Sequence, residues 1–238
     1  SVVPGQELAY ILAVERCLPG SLLVDRSGRR FCDESMPFPE LGRLLLERGE
    51  QVIPATLVAD RRFRVHYMMG AVPPALMRPD FTLPASLEGY LGRYESLRAL
   101  AVARGMDADA LEATVARFNA AARRGVDEEH HRGEGLLGRF YGDAAVGPNP
   151  TMAPLERAPF YALDVWPGSL GTLGGLKVDV AGGVLRPDGG AIPGLYAAGN
   201  CASPLVGYSY PASGLTLGPA MTFAWLAARH ALERGSAG

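Results

Sequence analysis

Gly194-Leu-Tyr-Ala-Ala-Gly199-Asn200 reads as a short apolar strand ending in small residues, and Tyr208-Ser-Tyr210-Pro-Ala-Ser-Gly214-Leu-Thr-Leu-Gly218-Pro-Ala220 leads the chain from it into a final helix. Small residues at the carboxyl end of a strand leave room for a bulky ligand, the usual place for one in an α/β sheet. Asn200 is placed to hydrogen-bond a hydroxyl of that ligand. The backbone N–H groups of Leu215, Thr216 and Leu217 fall at the helix N-terminus, where orphan donors and the helix dipole favour negative charge. Leu217, Met221, Trp225 and Leu232 then recur near the helical period over residues 216–234, and Gly235 ends the run. A helix apolar on most sides is expected to be buried.

Immediately upstream, Gly168-Ser-Leu-Gly171-Thr-Leu-Gly174-Gly175 spaces glycines three apart. Such a loop lets backbone N–H groups lie against a flat or anionic ligand, and it also suits a plain turn between strands. Residues 160–166 and 174–179 read as strands, with turns at Val180-Ala-Gly-Gly183 and Asp188-Gly-Gly190. Further upstream, residues 21–31 read as strand, turn at Ser27-Gly28, strand. Residues 36–84 are interrupted by seven prolines and read as irregular, apart from a helix over 40–48 ending near Gly49. Residues 86–124 read as helical. Within them Asp107 is an N-cap, Leu111, Val115, Phe118 and Ala122 form one apolar stripe, and Gly125 suits the C-terminal stop. Residues 126–154 read as a polar connection.

The sequence has 238 residues, is 48% hydrophobic and carries a net charge of −2. That allows one large or two modest cores and argues against nucleic acid or an anionic membrane as the main partner. Cys17, Cys32 and Cys201 are far apart and form no CxxC pair, so neither a disulfide framework nor zinc is expected. No signal stretch and no apolar run of membrane-spanning length is present, so a cytoplasmic protein is the expectation. Gly133-Glu-Gly135-Leu-Leu-Gly138 matches the dinucleotide fingerprint by letter. The polar stretch Asp127-Glu-Glu-His-His131 precedes it in place of a buried strand, so a solvated loop is expected, with no metal at the paired histidines.

Pro148-Asn-Pro150, Ala158-Pro-Phe-Tyr161, Gly171-Thr-Leu-Gly-Gly175, Pro193-Gly-Leu-Tyr-Ala-Ala-Gly-Asn200 and Gly214-Leu-Thr-Leu-Gly-Pro-Ala-Met-Thr-Phe223 together resemble the 3-ketosteroid 1-dehydrogenases, flavoproteins of the fumarate reductase and succinate dehydrogenase superfamily. Leu18-Pro-Gly20 and Asp25-Arg-Ser-Gly-Arg-Arg-Phe31, with Glu34-Ser35, extend the likeness to the first third. The resemblance implies an α+β chain. A substrate (cap) domain of mixed helices and short strands would span residues 1–168. The C-terminal strands and helix of a Rossmann-like FAD domain would span 169–238. The N-terminal FAD-domain segment, with the true fingerprint, is absent from the sequence.

The resemblance further implies FAD as cofactor, held by Gly171, Gly174, Gly175, Gly199, Asn200, Leu215, Thr216 and Leu217, and a steroid or other cyclic ketone as substrate. Tyr210 and Gly214 would hold the ketone oxygen, with Phe38, Tyr208 and Pro211 lining the substrate site. The family usually has Tyr after Glu-Ser-x-Pro as the proton acceptor, whereas Glu34-Ser-Met-Pro37 is followed here by Phe38. A phenyl ring carries no proton. Two other readings stand beside this one. The chain is a flavin-free relative serving as a binding module, or it is a fumarate-reductase-like flavoenzyme, for which no cluster of Arg and His stands beside Tyr210. Alone, the chain is expected to bind FAD weakly or not at all and to form a homodimer or aggregate through its final helix.

Overall fold

The computed structural model describes residues 1–3, 5, 9–87, 89–169, 171–207, 210 and 214–235. The chain divides into two compact units, Ser1–Pro167 and Gly168–Gly238. In chain order the first unit holds β1 (Ser21–Val24), α1 (Phe38–Arg48), β2 (Ala55–Ala59), α2 (Arg61–His66), β3 (Gly92–Tyr94), α3 (Leu97–Ala103), α4 (Ala108–Arg124), α5 (Leu136–Tyr141) and β4 (Phe160–Val165). The second holds β5 (Gly183–Leu185), β6 (Ala191–Tyr196) and α6 (Leu217–Gly235). The fold is α+β with antiparallel sheets, as expected.

The first unit is built on a four-stranded antiparallel sheet in the order β1-β2-β4-β3. Alternate side chains along each strand face opposite ways. Leu23, Leu57, Leu163 and Val165 pack on one face with Leu41 and Leu45 of α1 and Phe63 of α2. Leu22, Val24, Val58 and Ala162 pack on the other with Leu100 of α3 and Leu111, Val115 and Phe118 of α4. Both faces are therefore dry, which an antiparallel sheet shows less often than a parallel one.

Local chemistry sets the helix ends. The Asp107 carboxylate accepts from the Asp109 and Ala110 amides at 3.0 and 3.1 Å, and Gly125 at φ 78° stops α4. The Ser96 hydroxyl accepts from the Ala99 amide at 3.0 Å and starts α3. The Asp60 carboxylate accepts from the Phe63 amide at 3.1 Å and starts α2.

Several expected elements are corrected. Residues 36–84 are not irregular: they hold the central strand β2 and helix α2. Residues 86–124 are not one helix, because β3 and the break at Arg104 and Gly105, the latter at φ 66°, divide them. The expected hairpin over 21–31 keeps its first strand, but its return is a single bridge of Arg30 to Val24. Residues 126–154 contain α5, which opens at Gly135 inside the false fingerprint, with no strand before it. The acids before it are not all solvated: Asp127 is buried and ion-paired. Residues 174–179 form only isolated bridges, Leu176 to Ala202 and Val178 to Val184.

The second unit has a small core of Val184, Ala197 and Ala202, backed by Val178 and Ile192. Its final helix is not buried as expected: Leu217, Met221 and Trp225 are 69%, 72% and 59% exposed. These three positions, four apart, share one helix face. The helix meets its own unit through Ala227, which lies against Gly182.

Candidate functional site

The second unit folds its glycine-rich segments onto one another. The Gly174 amide donates to the Asn200 carbonyl at 3.2 Å, the Leu176 amide to Cys201 at 2.9 Å, and the Ser203 amide to Leu176 at 2.8 Å. Gly175 lies so close to this segment that a Cβ there would run into the Cys201 carbonyl. Gly199, at φ 73°, opens the short turn over Gly199–Cys201. Only glycine takes that conformation without strain.

These segments and the start of α6 surround a cleft of about 460 Å³, lined by Leu173, Lys177, Gly199, Leu215, Thr216 and Phe223 among others. Its volume lies in the range of small-molecule sites, about 300–1,000 Å³. Of the residues expected at the cofactor, Gly199, Leu215 and Thr216 line it directly. Gly174 and Gly175 are held to the same wall, and Gly171 faces Asn200, whose side-chain amide is 4.0 Å from the position of a Cβ. Leu217 begins α6 and is largely exposed.

Gly214 has φ 91°, and among the described residues nothing lies within 4 Å of where a side chain would stand. Its carbonyl accepts from the Gly218 amide at 2.8 Å, which fixes the turn to the helix. Tyr210 is half-buried. Tyr208 and Pro211 lie outside the described residues. Sequence inspection passed over Lys177, although it is the sole lysine of the sequence and sits between two glycine motifs.

Gly175→Ala is expected to destabilise the second unit by about 1–3 kcal/mol, the usual range for overpacking. Hydrogen exchange at the Leu176 and Ser203 amides should then accelerate. Unchanged exchange at both amides would show that the close approach is not needed.

Phe38 belongs to the first unit, at the start of α1. The segment that carries it is held by buried charge. The Arg16 guanidinium donates to the carbonyls of Glu34 and Met36 and lies 4.7 Å from the centroid of the Phe38 ring. Glu34 is fully buried. Its carboxylate accepts from Arg30 Nε at 2.9 Å, Arg30 Nη2 at 2.8 Å, Arg132 Nη1 at 3.1 Å and the Leu23 amide at 3.1 Å. Arg30 also pairs with buried Asp127 at 2.8 Å, and Arg30 and Arg132 both stack on Phe118. Burial alone would raise the Glu34 pKa, but the two guanidiniums override it and hold it below the ordinary value.

Tyr67 donates to Asp143 at 2.6 Å, and burial together with that carboxylate pushes its phenol pKa well above the usual value. It is thus poorly suited to take a proton in place of the hydroxyl that Phe38 lacks. His131 stands at φ 60°, with Nδ1 3.2 Å from the Glu134 carboxylate. Among the described residues, no three His, Cys, Asp or Glu side chains converge as metal ligands, and no helix is long and apolar enough to cross a membrane.

Residues 2–217 match the model of the FAD binding domain family. Over 227 residues the chain is 44% identical to 3-oxosteroid 1-dehydrogenase of Mycobacterium tuberculosis, covering 92% of this chain and 40% of that one. It is 38% identical over 231 residues to 4-oxocyclohexanecarboxylate 2-dehydrogenase of Sinomonas cyclohexanicum, covering 94% and 39%. The 3-ketosteroid delta1-dehydrogenase of Sterolibacterium denitrificans, solved in complex with 1,4-androstadiene-3,17-dione, superposes with a TM-score of 0.88 at 38% identity, over 98% of this chain and 42% of that one. The chain thus spans about two fifths of the length of the curated relatives it matches.

Proposed function

We propose, since this chain belongs to the FAD binding domain family, that it forms part of a flavin-dependent dehydrogenase acting on a 3-ketosteroid or a similar cyclic ketone. Both 3-oxosteroid and 4-oxocyclohexanecarboxylate dehydrogenases resemble it, which favours a ring ketone as the substrate class. The observation that carries the reading is the convergence of Gly174, Gly175 and Gly199 with the start of α6 around one cleft.

The residues present fit a flat, partly anionic group. Gly199 and Gly214 present backbone without a side chain, Gly199 against Ala220, and the start of α6 offers amides to negative charge. In this reading the glycine loop and Gly199 hold the ring system, Asn200 holds a ribityl hydroxyl, and Leu215, Thr216 and Leu217 face its anionic edge. FAD, when bound, supplies the hydride acceptor. Tyr210 and the Gly214 amide hold the ketone oxygen and stabilise the charge it gains as the neighbouring carbon loses a proton. Residues 1–168 serve as the substrate domain and 169–238 as the returning part of the FAD domain. A complementary segment supplies the remaining flavin contacts and covers the exposed face of α6.

Purified alone, the chain is expected to be colourless or to lose FAD on gel filtration. Joined to a flavin-domain segment of a relative, it should retain FAD in a one-to-one ratio, read from the visible flavin spectrum. A joined protein that folds but holds no flavin would overturn the reading. Tight one-to-one FAD in the chain alone would overturn the need for a second segment.

A further inference from the structure

Away from the glycine-rich cleft, the first unit carries a second cleft of about 420 Å³, lined by Arg61, Arg62, Val65, His66, Arg157 and Ala158. Three guanidiniums and an imidazole thus share its wall, and no acidic residue lines it. Among the described residues, none of the three guanidiniums forms an ion pair or a side-chain hydrogen bond. Elsewhere, Arg30, Arg64, Arg98, Arg104 and Arg123 all pair with carboxylates. Like charges gathered on one exposed wall repel one another, though water screens much of that repulsion, and a bound anion would relieve what remains.

The scaffold under the cluster is fixed. Asp60 is buried, and its carboxylate accepts from the Phe63, Glu156 and Arg157 amides at 3.1 Å each. The Arg61 amide donates to the Arg157 carbonyl at 2.9 Å. One carboxylate therefore locks the start of α2 to a segment nearly a hundred residues away, and this lock brings Arg157 beside Arg61 and Arg62. His66 Nδ1 lies 2.9 Å from the Arg62 carbonyl, which ties the ring to α2. Of the acids close by, Asp60 is taken up by the three amides named above, and Asp143, which feels the charge of Arg62 and His66, is engaged by the Tyr67 hydroxyl and the Ala145 amide.

We propose that this cleft is a binding site for a multiply charged phosphate, gripped by Arg61, Arg62 and Arg157. A guanidinium presents a planar fork of donors that matches phosphate oxygens in pairs. Three such forks on two locked segments exceed what one carboxylate can neutralise. The volume admits a small phosphorylated molecule, with Val65 and Ala158 as its apolar contact.

The test is titration of the full chain with inorganic pyrophosphate at fixed ionic strength, followed by calorimetry. Saturable one-to-one binding is expected. Arg62→Ala and Arg157→Ala should each weaken it at least about tenfold, the loss of one charge-assisted bidentate contact. Arg62→Lys should fall between wild type and Arg62→Ala, and Arg29→Ala, an exposed arginine elsewhere, should bind as wild type. Thermal melts confirm that each variant is folded. Phenyl phosphate tells the sources apart: tighter binding than inorganic phosphate assigns an organic phosphate, equal binding a free anion. The proposal is overturned if pyrophosphate shows no saturable binding, if acetate competes as well as pyrophosphate, or if the folded arginine-to-alanine variants keep wild-type affinity. None of these readouts involves flavin, so the result stands apart from that of the reconstitution.

Discussion

Glu34→Ala is expected to lower the stability of the first unit by about 3–5 kcal/mol, the cost of stripping one partner from a buried ion cluster. The Glu34 carboxylate is the acceptor between Arg30 and Arg132, whose side chains are 1% and 0% exposed. Without it two buried guanidiniums beside Phe118 lose the carboxylate they share, and the Leu23 amide loses its acceptor. Glu47→Ala removes an equally simple pair with Arg43, but there both side chains are more than half exposed. Its loss should be under about 1 kcal/mol. Urea unfolding followed by signals from the first unit measures both. A Glu34→Ala loss no larger than that of Glu47→Ala would refute the account.

The same cluster fixes a pH dependence. Glu34 and Asp127 both have pKa values below the ordinary carboxylate range; burial opposes this, and their guanidinium partners prevail. A folded-state pKa below the unfolded one adds stability that is complete above the unfolded value, near pH 4. That contribution fades as pH falls through the folded values. Wild type should therefore lose stability on acidification below about pH 4 more steeply than Glu34→Ala does.

Part of this structure was legible in the residues. Helix α4 was, because Asp107, the stripe from Leu111 to Ala122 and Gly125 each act locally and agree. The glycine-rich cleft was legible for a similar reason: positive φ and close backbone approach leave glycine as the only choice at Gly199 and Gly175. Strand β2 was not, since Ala55-Thr-Leu-Val-Ala59 is buried on both faces and shows no alternation to read. The cluster of Arg30, Glu34, Asp127 and Arg132 was also hidden, because its partners lie up to 98 residues apart. Charge near charge in sequence says nothing of charge near charge in space, and Asp127 therefore read as a solvated acid. The exposure of α6 was legible only in part: its apolar sides read as buried, but whether they are covered depends on what else is present to cover a helix. Val184, Ala197 and Ala202 give this unit little with which to do so.

Tyr210→Phe is expected to slow ketone dehydrogenation by about 10²–10³-fold, or ~3 kcal/mol, the usual effect of deleting one donor to a developing oxyanion. The measurement belongs in the chain joined to the flavin-domain segment of a relative, as proposed above. Because the donor acts chiefly when charge builds on the oxygen, kcat and kcat/KM should fall together while KM changes little. Exchange of the ketone's α-hydrogens with deuterated water isolates this step, since it needs enolisation and no hydride transfer. Tyr210→Phe should slow that exchange as well, with flavin content unchanged. Phe38 cannot take the proton itself, so the wild-type exchange rate also reports whether another group or water does so. A loss below about fivefold in both assays would remove Tyr210 from the oxyanion site while leaving the flavin reading intact.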